Sequence, residues 1–163
     1  MKVALCLYGE SRNYFDSAYP YFDKILFSKY DTDVFFHSWD TYNNFSDEIL
    51  SKYGVRKHEV VPQIQFEPNL SKYGLNSHSD FKGIPGYELW FESRGSWEEV
   101  ESTAIIESPR SHSRWYSTKR TIELKEEYEK ENNFVYDFVF LSRFDNWFEM
   151  DLKLEEKNSE YFY

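Results

Sequence analysis

The sequence predicts an α/β fold, a mostly parallel sheet flanked by helices, and three observations point there. Residues 2–8 (KVALCLY), 32–39 (TDVFFHSW) and 136–142 (YDFVFLS) are short, continuous, β-branched and aromatic runs of the kind that strands buried on both faces require. Between the first two, Phe15, Tyr19, Phe22, Ile25 and Leu26 recur at three- and four-residue spacing, which reads as a helix over 13–30 with Pro20 near its start or kinking it. Parallel strands need a crossover of this sort. Each of the three runs also ends in a polar cluster, and in an open α/β sheet the ligand crevice lies beyond the carboxyl ends of the strands.

The remaining elements follow in order. Ser46 to Tyr53 reads as a second helix closed by Gly54, and 58–66, interrupted by Pro62, as a third, edge-like strand. The stretch 69–95 gathers Gly74, Gly83, Pro85, Gly86 and Gly95 with five rings, and is expected to form an ordered aromatic flap. Ser96 and Glu99 fit a capping box opening a short helix through Ile106. The longest helix is expected over 111–132, with Ser117, Thr121, Leu124 and Tyr128 on one stripe, Trp115 and Ile122 beside it, and Glu126 and Lys130 paired outside. After the last buried run, Phe148, Met150, Leu152 and Leu154 alternate with polar residues, the period of a half-buried strand.

Length and composition bound the function. At 163 residues the chain reads as a single domain over 1–163, with the aromatic loop or insertion at about 67–110. Rings make up 21% of the residues, so aromatic side chains build much of the core and its rim. Lys and Arg number 19 against 29 Asp and Glu, a net charge of −10 that argues against binding nucleic acid, whose phosphates are held by basic patches. The apolar run after Lys2 is too short for a signal peptide, and no run approaches membrane-spanning length. With a single cysteine, Cys6, and no export signal, the expected location is the cytoplasm.

The candidate site residues come from the three polar clusters. Tyr8, Gly9 and Arg12 follow the first strand: Gly9 lets the backbone turn close to a ligand, and Arg12 offers a planar fork suited to phosphate or carboxylate. A plain turn with a solvated arginine explains the same residues. His37, Trp39 and Asp40 follow the second strand, His37 with Asp40 fitting a metal or acid/base role or a hydrogen-bonded rim, and Trp39 fitting either core packing or stacking on a ligand. Arg143 and Asp145 follow the strand after the long helix. Asp145 suits a divalent cation shared with substrate phosphates, and it equally suits a pair with Arg143 that pins the strand end. Tyr116, Lys119 and Arg120 add charge that faces the same crevice or solvent. No Cys/His metal spacing and no Gly-x-Ser-x-Gly elbow is present.

Three blocks, VALCLYGESRNY, KYDTDVFFHSWD and SRWYSTKRTIELKEEYEKENNFVYDFVFLSRFDNWF, together resemble a family of glycosyltransferases found in viruses, phages and bacteria. The likeness rests on a Gly-x-x-Arg loop, an Asp-Val-Phe-x-His-x-Trp strand end and an Arg-Phe-Asp strand end, and leaves 69–108 unmatched. It implies a Rossmann-like, GT-A-type domain that binds a nucleotide-diphospho-sugar and passes the sugar to a glycan, lipid or protein acceptor. It further implies that Tyr8, Gly9, Arg12, His37, Trp39, Arg143 and Asp145 line the donor site, with Asp145 holding Mn²⁺ or Mg²⁺. Two departures stand out. Arg143 occupies the place of the first Asp of an Asp-x-Asp motif, which weakens the case for a metal, and the family's members extend beyond the point matched by Tyr163, where acceptor contacts and a base are expected. The alternative is a truncated or degenerate, non-catalytic binding or virion-associated module on the same scaffold, and a third option is a nucleotide-handling enzyme outside sugar transfer.

Overall fold

A computed structural model describes residues 1–12, 14–41, 45–66, 97–149 and 151–158. The elements run β1 (Lys2–Tyr8), α1 (Tyr14–Phe22), a π-helical turn (Asp23–Phe27), β2 (Asp31–Trp39), α2 (Asp47–Lys52), β3 (Val55–Val61), α3 (Trp97–Asn132), β4 (Phe138–Arg143) and a 3₁₀ turn (Leu154–Glu156). The four strands form one all-parallel sheet in the order β3-β2-β1-β4, Rossmann-like in character. The chain divides into two compact units, one of residues 1–63 with 116–163 and the other of 64–115. In the second unit the described residues belong mainly to the first half of α3, where the Phe66 ring meets His112 at 5.9 Å.

Sheet order places the crevice. From β1 the chain steps outward to β2 and β3, then returns to the other side of β1 to make β4, so the direction of winding reverses between β1 and β4. The two faces of the sheet are covered by different helices. Val3, Leu5, Leu7, Val34 and Phe36 pack with Ala18, Phe22, Ile25 and Leu26 of the first crossover and with Tyr53. On the opposite face Ala4, Cys6 and Phe35 pack with Leu124 of α3 and Tyr136.

Both early helices follow from local chemistry. Ser46 caps α2 by accepting from the Ile49 N–H at 3.3 Å, and Gly54 ends that turn at φ 65, a left-handed value that glycine adopts without cost. Pro20 lies inside α1 rather than at its start, and the chain widens into the π turn three residues later.

Several expected elements differ. The third strand lies at Val55–Val61, because Pro62 has no N–H for the ladder and closes the strand instead of interrupting it. The two expected helices at 96–106 and 111–132 are one helix, Trp97–Asn132, which carries Pro109 within it. The alternating segment 148–154 is not a strand. Phe148, Leu152 and Leu154 do face the core, yet the Leu154 N–H donates to the Tyr30 hydroxyl at 3.0 Å, and that hydroxyl reaches Glu155 at 2.8 Å. The same hydroxyl lies 3.3 Å from the Leu152 carbonyl, so Tyr30 takes backbone bonds that a ladder would have made, and Lys29 adds an ion pair with Asp151. Finally, β4 was expected to be buried on both faces, but it is an edge strand: Val139 and Leu141 are 47% and 43% exposed. The stretch 69–95 and the Ser96 cap lie outside the described residues. Among the described residues no helix is long and apolar enough to cross a membrane.

Removing the Tyr30 hydroxyl tests the anchoring of 151–158. Tyr30→Phe is expected to cost about 1 kcal/mol in urea unfolding and to raise amide exchange at Leu154 above that of the sheet.

Candidate functional site

The register aligns Tyr8 of β1 with His37 of β2 and with Arg143 of β4. Side chains in register on parallel neighbours share a face, so these three form a row across the carboxyl ends, on the side covered by α3. Gly9, at φ 96, and Arg12, at φ 43, turn the chain away after β1. Arg12 has a side chain and still holds a left-handed backbone, which is unusual outside turns that serve a purpose.

Ser117 of α3 ties this rim together. Its Oγ accepts the Gly9 N–H at 3.0 Å and lies 2.8 Å from His37 Nδ1, so one hydroxyl links the helix to the ends of β1 and β2. His37 is fully buried, and its Nε2 faces the Glu59 carboxylate at 3.7 Å without a hydrogen-bonding partner among the described residues. The Ser117 hydroxyl also lies 3.2 Å from the His37 carbonyl, to which it donates when Nδ1 carries the ring proton. Burial pulls His37 down to about 4 from its ordinary 6.5, against the upward pull of Glu59 and with a smaller downward push from Arg120. It is a neutral residue at pH 7.

Rings and charges complete the end of β2. His37 and Trp39 lie two residues apart on one face and meet edge to face at 4.8 Å, while Tyr116 stacks on Trp39 at 5.6 Å. Trp39 is thereby covered, only 2% exposed, and Tyr116 is the outward ring of the three at 37%. Arg120 is committed to carboxylates, Glu59 at 2.8 Å and Glu123 at 3.0 Å, which raise its pKa. Lys119 pairs with Glu123 at 3.5 Å, and Asp40 is exposed beyond the strand.

At β4 the local geometry decides the pairing. Phe144 is buried against Phe36 at 5.7 Å, which leaves Arg143 and Asp145 on the other side of the chain, two residues apart. The guanidinium grips Asp145 with both prongs, Nε at 2.8 Å and Nη2 at 2.6 Å, and Asp145 is the chief cause of the raised Arg143 pKa. Tyr8 and Glu10 add to that rise. Glu10 in turn accepts from Arg12 at 3.3 Å, so the loops after β1 and β4 share one rim, with alternating charges along it.

Tyr8 and Arg143 are thus neighbours at the switch point, with Gly9 following the first and Asp145 held by the second, and Arg12 is tied to this rim through Glu10, whereas His37 and Trp39 lie beneath Tyr116. A preformed cation cage is not what these residues offer. Among the described residues no three His, Cys, Asp or Glu side chains cluster, and Asp145 spends both oxygens on Arg143. Ser117 and Glu59 are the residues of the candidate site that the sequence did not single out. A hydroxyl on the buried stripe of α3 was the available signal for Ser117; nothing local marked Glu59.

Ser117→Ala leaves the Gly9 N–H and His37 Nδ1 without their shared partner, with an expected loss of about 1–3 kcal/mol in denaturant unfolding. The folded-state pKa of His37 is depressed, so its contribution to stability is complete above pH 6.5, where both states are neutral. It falls as pH drops toward about 4, because the unfolded chain takes up a proton that the folded one refuses. The loss is on the order of 2–3 kcal/mol between pH 7 and pH 4, and His37→Gln removes that component of the pH dependence of the urea midpoint. Compared with protein-family models, curated proteins and solved structures, the chain gives no match in any of the three.

Proposed function

We propose that the chain binds a nucleotide-diphospho-sugar at the carboxyl ends of β1 and β4, as the donor site of a GT-A-like glycosyltransferase acting on a glycan, lipid or protein acceptor. The observation that carries this is that the loops after β1 and β4, from opposite ends of the sequence, both leave the sheet at the switch point, with Arg12 paired to Glu10 and the Glu10 charge acting on Arg143. There the Gly9 turn brings backbone close to a ligand, and two planar guanidinium forks suit the two phosphates of a diphosphate. Tyr116, stacked on Trp39 at the end of β2, provides a partly exposed ring for a base or sugar face. Leaving-group charge would be stabilised by the arginines. A divalent cation would enter with the diphosphate and take Asp145 only after Arg143 released it.

A second reading keeps the binding and drops the turnover. It is favoured by the state of the acid–base groups: His37 is buried and neutral, and Arg143 and Asp145 occupy one another. On that reading the chain is a non-catalytic binding or virion-associated module on the same scaffold.

Calorimetric titration with UDP-, GDP- and CMP-sugars, each with and without Mn²⁺, separates these outcomes. Binding of at least one donor is expected, weakened roughly 10- to 100-fold in Arg143→Ala and in Arg12→Ala, the loss of one charge-assisted hydrogen-bonded contact. A donor that binds only with Mn²⁺ assigns Asp145 to the cation; binding without release of nucleoside diphosphate in a hydrolysis or transfer assay supports the non-catalytic module. Failure of every donor to bind overturns the proposal.

A further inference from the structure

β4 is one of the two edge strands of the sheet. Natural sheets blunt such edges with charge, proline or a covering element; between its ends Phe138–Arg143 carries neither charge nor proline, and among the described residues no strand covers it. The Asp137 N–H donates to the Lys2 carbonyl of β1, so odd-numbered residues turn their backbone groups inward and Phe138, Phe140 and Ser142 turn theirs outward. Among the described residues no strand pairs with that side. On the α3 face of the same strand, Val139 and Leu141 are exposed side by side, with Val135 close behind at 77%.

We infer that β4 pairs antiparallel with β4 of a second copy of this chain, about a two-fold axis through Phe140, joining the two sheets into one of eight strands. The strand is complementary to itself in this register and not in its neighbours. Phe140 meets Phe140 and Phe138 meets Ser142 as the hydrogen-bonded pairs, through the backbone groups that face outward. Val139 then lies opposite Leu141, and Asp137 opposite Arg143. Sliding one chain by two residues instead puts Val139 opposite Arg143 with Asp137 opposite Asp145, or Asp137 opposite Leu141; both lose the match. The charged pair has unused capacity for it. Asp137 takes the Lys2 N–H on Oδ2, and Arg143 spends Nε and Nη2 on Asp145, so among the described residues Oδ1 and Nη1 are left to meet across the axis. Isologous pairing of this kind is the commonest way for a chain to close an assembly, and a short ladder gives a small interface of modest affinity.

Sedimentation equilibrium of the full chain, from about 1 to 100 µM at physiological salt, reads the association directly. A reversible species of twice the 19.8 kDa chain mass is expected. Val139→Lys with Leu141→Lys, both on exposed positions, should return the monomer mass at every concentration with an unchanged circular dichroism spectrum. A register test uses single cysteines. An equimolar mixture of the Val139→Cys and Leu141→Cys chains should form an oxidised cross-link that neither chain forms alone, since non-hydrogen-bonded antiparallel pairs bring Cα atoms within disulfide reach, about 4.5 Å. Both variants carry Cys6→Ala, because native Cys6 is the register partner of Leu141 on β1 and would lie within disulfide reach of a thiol placed there. A wild-type chain that remains monomeric, a dimer that survives the double lysine substitution, or cross-linking of a single variant with itself each overturns the inference.

Discussion

A single serine hydroxyl fixes where the ends of three elements lie. Ser117 sits on the buried stripe of α3 and accepts the Gly9 N–H while contacting His37, so the helix that returns the chain to the far side of β1 is pinned to the ends of β1 and β2. Apolar packing of Leu124 on Ala4, Cys6 and Phe35 holds α3 against the sheet, but such contacts are non-directional and tolerate sliding. A hydrogen bond to a buried N–H does not, because each displaced partner would be left without water or protein to replace it. The Gly9 turn, and with it the departure of the chain toward Arg12, inherits that precision.

The cost of this anchoring is carried by His37. Held without exposure between Ser117 and Glu59, it has been driven to a neutral form far below its ordinary titration range. His37 at the end of β2 is enclosed by Ser117 and Glu59, and Arg120 beside it is paired with Glu59, Glu123 and Glu127. At the rim the Arg12 and Arg143 side chains are about half exposed, each paired with a carboxylate of its own loop.

Strand positions and the two crossover faces were legible in the sequence because buried parallel strands leave unbroken apolar runs, and 2–8 and 32–39 are just such runs. The same logic misjudged β4. Val139 and Leu141 look like core residues in the string FVFL, but only one side of an edge strand is covered, and composition does not say how many neighbours a strand will have. At 148–154 the inward set was readable from its period of two, while the element was not, since Tyr30, over a hundred residues away, takes backbone bonds that a ladder would have made. In the candidate site the sequence showed which residues follow which strands. It could not show that Phe144, by burying itself, would turn Arg143 and Asp145 toward each other, or that Tyr116 would cover Trp39.

The arrangement of charge on the rim bears on the class of anion it would select. Arg143 and Arg12 each rest against a carboxylate of their own loop, and partly exposed pairs of this kind are worth roughly 0–1 kcal/mol. A guanidinium–phosphate contact is worth about 1.5–3 kcal/mol, so a phosphate can displace either carboxylate, but with only a small surplus after the freed carboxylate is left beside it. A ligand with one anionic group gains that surplus once, against the field of a chain with a net charge of −10. A ligand with two linked anionic groups gains it twice while losing its translational freedom once. On the proposed reading the paired carboxylates would act as a threshold that favours a diphosphate over a lone phosphate, because Glu10 and Asp145 are present and not in spite of them.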